Sequence, residues 1–354
     1  SNVEHYLDDF VGGSKHFTTA KHQMDYLSNL FEYLNLPTSK RKCKGPFQSI
    51  DVLGWTFNTT PNLTIAIQEK KRLKYLNYFY NTLKNNYISI NILEKLTGYA
   101  RHCIYIIPNA KPFCRGFDTQ KHFLLYKAKS NKTITGAKRF KISKESKFDL
   151  NYWIDLLTHA KTYILPLKYI IKPCSLPIIH VWTNATTTIG FGGFTSNGDN
   201  FKSLWDNLNL PFSYYKHKKN LINYLELAAL VLSAVLFAKH WENSYIIFHC
   251  DNTTAVTAAT KGTVSFNTIF YYPMANLIKY LSILSLKYNF QFNSIHIEGK
   301  SNTIADALSR NFKNPLKYEQ LNLPKISFRK STRSSKKMND LIIKTLVNTF
   351  VKFE

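Results

Sequence analysis

The stretch 178–196, IIHVWTNATTTIGFGGFTS, decides the fold class. It reads as two strands, IIHVWTN and the glycine-rich IGFGGFTS. A long apolar helix, INYLELAALVLSAVLFAKHW, follows, then a strand, YIIFHCDN, and a further helix, strand and helix up to Arg310. Alternating elements of this kind argue for a sheet with helices packed on it. The expected class is therefore α/β, with a mixed sheet over 176–312. Upstream the texture differs. The first sixty residues set short apolar runs, YLDDFVGG and SIDVLGWTFN, on either side of the helically spaced AKHQMDYLSNLFEYLNL, and read as hairpin, helix, hairpin. From Gln68 to about Asp155 the pattern is helical and basic, with tyrosine and leucine recurring at three and four residues. The two prolines of IIPNAKPFCRGF interrupt it, and KSNKTITGAKRFKISKESK reads as a surface loop. Beyond Asn311 the composition turns polar and basic, as in a flexible tail.

Composition narrows the function. The 354 residues exceed what one core usually organises, so two or three domains are expected. Hydrophobic residues make up 44% and aromatic residues 15%, which excludes global disorder. Lysine and arginine number 47 against 22 acids, a net charge of +25 spread along the whole chain. A polyanionic partner is the natural inference; a basic surface that only confers solubility is the alternative. Cys43, Cys103, Cys114, Cys174 and Cys250 are odd in number and form no CxxC pair, so neither a disulfide framework nor a zinc site is indicated. The uncharged run from Leu227 to Ala238 is too short to span a bilayer and is flanked by Glu226 and Lys239. The expectation is a soluble intracellular protein, cytoplasmic or nuclear, with no membrane partner and no secretion.

Asp8 and Asp9 place two carboxylates at the tip of a hairpin, where they could hold a divalent metal; a solvated Asp-Asp turn is the plain alternative. The string YLDDF resembles the YxDD catalytic turn of reverse transcriptases, in which carboxylates hold magnesium ions. Two later motifs keep the order found in retroelement polymerases, most like tyrosine-recombinase (DIRS-type) retrotransposons and their pararetrovirus-like relatives. LNLPTSKRKCKGP resembles the segment with the palm lysine, matched here by Lys42, and IDVLGWTF resembles the hairpin that grips the primer end, through Gly54 and Trp55. A simple buried hairpin is the other reading of the latter. In that family another metal-binding aspartate precedes the YxDD turn. The chain opens at Ser1, directly before this turn, so the expectation is a fragment and an incomplete polymerase.

Four further positions resemble the acids of ribonuclease H, which hold two magnesium ions at an RNA phosphodiester. They are Asn184 in VWTNATTTIGFGG, Glu226 in NYLELAAL, Asp251 in IIFHCDNTTAV and Asp306 in IHIEGKSNTIADALSR. Glu226 is the one charge between Leu221 and Ala238, on a helix apolar nearly all round, so its burial needs a metal, a basic partner or a proton to offset it. A glutamate at the rim paired with lysine is the alternative. Asp251 ends an apolar strand, where ligands of open α/β sheets gather, or else caps the helix TTAVTAA. Asp306, three residues after Thr303, fits the family's closing motif or an acidic capping box. Asn184 departs from the family: an amide replaces the aspartate, and loss of a bridging ligand costs about a thousandfold or more in rate. Asp199 could in principle substitute. His296, in an expected strand, is assigned no catalytic role.

The resemblance thus implies a palm remnant over 1–60, a thumb and connection over 61–175, a ribonuclease H-like domain over 176–312 and a basic tail over 313–354. It implies magnesium as cofactor, RNA/DNA hybrid or duplex as partner, and metal-binding or catalytic roles for Asp8, Asp9, Glu226, Asp251 and Asp306. The expected function is nucleic-acid binding with incomplete catalytic sites. An active magnesium nuclease and a non-catalytic interaction module are the alternatives.

Overall fold

The computed structural model describes residues 3–6, 9–61, 63–131, 133–159, 165–166, 176–205, 218–265, 267–268 and 270–310. Asp8 and the expected tail over 313–354 lie outside the described residues. In chain order the strands are β1 (Val3–Tyr6), β2 (Asp9–Gly12), β3 (Ser49–Val52), β4 (Trp55–Asn58), β5 (Thr64–Ile67), β6 (Tyr87–Ile88), β7 (Phe140–Lys141), β8 (Leu165–Pro166), β9 (Ile178–Ala185), β10 (Gly190–Thr195), β11 (Asn200–Leu204), β12 (Tyr245–Cys250) and β13 (Gln291–His296). The described helices are α1 (Phe17–Tyr33), α2 (Glu69–Asn85), α3 (Ile90–Ile104), α4 (Arg115–Ser130), α5 (Lys144–Thr158), α6 (Lys218–Phe237), α7 (Thr253–Lys261), α8 (Tyr271–Lys287) and α9 (Thr303–Arg310). The α/β class expected from the sequence is the class observed.

Two compact units form, Ser1–Asn77 with Leu156–Ile171, and Tyr78–Asp155 with Lys172–Glu354. Their bounds differ from the sequence divisions at 60/61 and 175/176. Unit one holds the β1–β2 hairpin, α1 and the antiparallel sheet β3–β4–β5–β8. The β3–β4 connection has positive φ at both Leu53 and Gly54, the backbone of a type I′ turn, whose twist matches that of paired strands.

Unit two is built on the five-stranded sheet β11–β10–β9–β12–β13. Strands β9, β10 and β11 are antiparallel neighbours, while β12 runs parallel to both β9 and β13. The carboxyl ends of β9, β12 and β13 therefore share one edge. Helix α6 is apolar around its circumference because it is enclosed around its circumference: β9 lies against it on one side and α8 on another. By length and composition Leu221–His240 is long enough to cross a membrane, more than the Leu227–Ala238 run suggests. Within it, 78% of the most apolar 18-residue window is buried, as in the core helix of a soluble protein. Helix α9 packs on β10 through Leu308. The approach requires a glycine at 192, since a Cβ there would lie 2.6 Å from Leu308 Cβ.

Hydrogen bonds tie α4 and α5 to one another and join the upstream segment to the α/β elements of this unit. Lys279 on α8 donates to Asp149 on α5 at 2.6 Å, and Gly116 N–H donates to the other Asp149 oxygen at 2.7 Å. The Asn109 amide donates to Phe290 O at 3.2 Å, and Trp153 Nε1 donates to Phe113 O at 3.0 Å. Two features differ from the sequence reading. The stretch read as a loop contains β7 and the first turn of α5, where Ser143 Oγ accepts from Ser146 N–H and caps the helix. Strand β11, NFKSL, was not foreseen.

Candidate functional site

The edge at the carboxyl ends of β9 and β12 gathers Asn184, Glu226, Asp251 and Asp306. Asn184 is the next-to-last residue of β9 and pairs with Gly192 of β10. Its Nδ2 donates to Asp306 Oδ1 at 3.0 Å. Arg310, one turn further along α9, donates through Nε to the same oxygen at 2.7 Å. Glu226 is 3% exposed. Its Oε1 accepts from Ala185 N–H at 2.9 Å, and its Oε2 lies 3.5 Å from the Cys250 thiol, which donates to it. Cys250 reaches α6 because residues 246, 248 and 250 of β12 alternate onto the buried face. Asp251 follows directly. Its carboxylate faces Gly299, where an added Cβ would sit 3.3 Å from Oδ2, and its carbonyl is 3.1 Å from His296 Nε2.

Burial pushes the Glu226 carboxyl up to about 8, with the negative charges of Asp251 and Asp306 adding to it and the Ala185 N–H opposing. Asp251 is raised by burial and by Asp306, against His296 and Arg310. The Cys250 thiol is held well above its usual range by burial and by Glu226. Such a cluster favours protons or a cation. Glu226, Cys250 and Asp251 offer ligand atoms within 4.8 Å of one another, and this group could hold a metal ion. No family model matches the sequence, and no curated protein matches it.

The donor set fits one cation better than two. A second ion bridging to Asp306 would have to compete with an amide N–H and a guanidinium that already bond Oδ1. Asp199, which the sequence left as a candidate for this cluster, does not join it. It sits in the β10–β11 turn beside Thr195, which pairs with Val181, so it lies toward the amino-terminal half of β9, away from Asn184. The plainer readings of two acids also fail: Asn252 rather than Asp251 caps α7, through Ala255 N–H at 2.9 Å, and Asp306 bonds Asn184 and Arg310. Cys250 and Arg310 join the site without having been given a role from the sequence, and His296, which the sequence reading assigned no catalytic role, contacts the Asp251 carbonyl. Arg310 was legible there, being four residues after an acid on a helix.

Unit one carries the other residues singled out in the sequence. Asp9 begins β2 and is exposed, and it joins no group of potential metal ligands among the described residues. Lys42 is exposed in a turn whose N–H bonds Ser39 O at 2.8 Å. Gly54 lies in the β3–β4 turn, φ +93°, with the Lys71 side chain against it and Lys71 Nζ donating to Leu53 O at 3.3 Å. Trp55 starts β4 and is half-buried. Gly54 and Trp55 share one hairpin, while Asp9 and Lys42 lie in other elements.

Proposed function

We propose that this chain is part of a retroelement polymerase/ribonuclease H protein that binds nucleic acid and whose ribonuclease H-like site lacks the charge for two-ion hydrolysis. The observation that carries the reading is the meeting of Asn184, Glu226, Asp251 and Asp306 at one sheet edge, from strand β9, the residue after β12, and two helices. The order of those residues in the chain is the order the resemblance requires. The +25 charge supports a polyanionic partner.

In this reading Glu226 and Asp251 are the residues that would hold a magnesium ion. When bound, such an ion would stabilise negative charge on phosphodiester oxygens. Asn184 and Arg310 hold the Asp306 carboxylate by hydrogen bonds and keep it aimed at the edge. Cleavage is then absent or slow, and binding is the retained function. An active single-ion nuclease is the second reading, favoured by the compact Glu226–Cys250–Asp251 group.

The test uses the purified chain, an RNA/DNA hybrid and magnesium. The wild type should bind hybrid with strong salt dependence, each neutralised phosphate adding about −0.9 to the slope of log affinity against log salt for duplex. It should cleave weakly or not at all. Asn184→Asp should raise RNA cleavage in a magnesium-dependent way, by up to about a thousandfold, and adding Asp251→Asn should abolish it. Wild-type cleavage as fast as that of Asn184→Asp would favour the single-ion nuclease. A folded, hybrid-binding Asn184→Asp protein that stays inactive would count against the ribonuclease H reading itself.

A further inference from the structure

Helix α4 buries Gly116, Phe117, Gln120 and Leu124 within unit two and turns its opposite side to solvent. On that side Phe123 is 54% exposed and Tyr126, one turn on, is 74% exposed. Large rings exposed side by side are not what solubility requires of a surface. The same stretch of chain is rich in cations. From Asp118 to Glu145 the chain has eight lysines and arginines between and no acid. The Lys127 ammonium lies 4.4 Å from the Phe123 ring centroid.

The surface is held in place rather than left to sway. Gln120, one turn before Phe123, donates to Lys141 O at 2.9 Å and accepts from Ser143 N–H at 3.1 Å, fixing β7 beside α4. Tyr87, 53% exposed, pairs with Lys141 across β6 and β7. The connecting loop is anchored as well, Asn91 N–H donating to Gly136 O at 3.1 Å. The exposed rings of α4 thus lie on a helix braced by β7, in a stretch rich in lysine and away from the carboxylate edge in both sequence and element.

We propose that this face binds single-stranded nucleic acid, with Phe123 and Tyr126 stacking on bases and Lys127, Lys129 and Lys141 meeting phosphates. Charge complementarity selects a polyanion. The rings select a strand whose bases are unpaired, because bases stacked within a duplex offer no face to a side chain, whereas every unpaired base does. The proposal rests on the nucleic-acid reading above only for the class of partner, and not on the carboxylate site.

The experiment measures binding of the whole chain to labelled oligo-uridylate, oligo-deoxythymidylate and an RNA/DNA hybrid. Phe123→Ala with Tyr126→Ala should weaken both single strands by about tenfold or more for each ring removed, with hybrid affinity unchanged. Single-strand binding as tight as wild type in that variant would overturn the proposal. Phe123→Trp should keep affinity and show fluorescence quenching on oligo-uridylate beyond that of wild type; no added quenching would overturn it even if the alanine variant failed to fold. Two other results would also overturn it: binding to anionic phosphatidylserine vesicles without binding to either oligonucleotide, or self-association abolished by the double variant without oligonucleotide binding. Loss of hybrid binding alone, with single-strand binding intact, would instead count against the reading of the carboxylate domain.

Discussion

Position 184 differs from an aspartate by one terminal group, and the direction of its hydrogen bond follows from that group. As an amide it donates to Asp306 Oδ1 at 3.0 Å. As a carboxylate it would set two anionic oxygens against each other in a largely buried place, Asn184 being 4% exposed. Without divalent ions, Asn184→Asp should therefore be less stable than wild type by about 1–3 kcal/mol, and magnesium should restore much of the loss. Thermal melts in chelator and in magnesium check this. Equal melting of both proteins in chelator would mean that the Asn184–Asp306 contact does not form. The four positions of this cluster were legible from the sequence because each sits in a distinctive local string. Cys250 was not, since only the stacking of α6 on β12 brings its thiol to Glu226. His296 was passed over for a similar reason: its link to Asp251 exists only because β12 and β13 pair in parallel register.

At the scale of elements, α9 delivers Asp306 and β10 receives α9. The contact depends on Gly192, where a methyl group would meet both the side chain and the backbone of Leu308. Gly192→Ala should cost about 1–3 kcal/mol by overpacking and should displace α9 from the site edge. Denaturant unfolding measures the cost, and a variant as stable as wild type would show that α9 has room to spare. Long periodic elements such as α6, β9 and β12 were readable from their apolar patterns. Strand β11 was not, because NFKSL is short and half polar and becomes a strand by pairing with β10 along the sheet edge. The start of α5 was hidden for a different reason. Its first residues are lysine-rich, and the cap at Ser143 and the burial of Asp149 outweigh that local polarity.

At the scale of the molecule, the division of the chain was the least legible property, because it depends on charges that meet 130 residues apart. Lys279 bonds Asp149 at 2.6 Å and lies 3.7 Å from Glu145, with all but 4% of its side chain buried. Burial raises the Asp149 carboxyl to about 6, with Lys279 pulling the other way. An unfolded aspartate titrates near 4, so between about pH 4 and about 6 the folded protein keeps a proton that the unfolded chain has released. This carboxyl therefore lowers stability as pH rises through that window, by no more than about 3 kcal/mol. Unfolding measured from pH 4 to 7 should show this decline in wild type and a shallower one in Asp149→Asn; identical profiles would mean that Asp149 is not protonated in the fold. The same ties decide what can be moved from one protein to another. A piece cut at the 175/176 division would keep Lys279 and discard both of the carboxylates that face it, and would strip Phe290 O of the Asn109 amide. Such a piece would also lose Phe113 and Phe148, the rings that lie against the Lys279 ammonium. The smallest portable cassette here is the sheet together with its three upstream helices, and shuffling the sheet alone would export an unfinished protein.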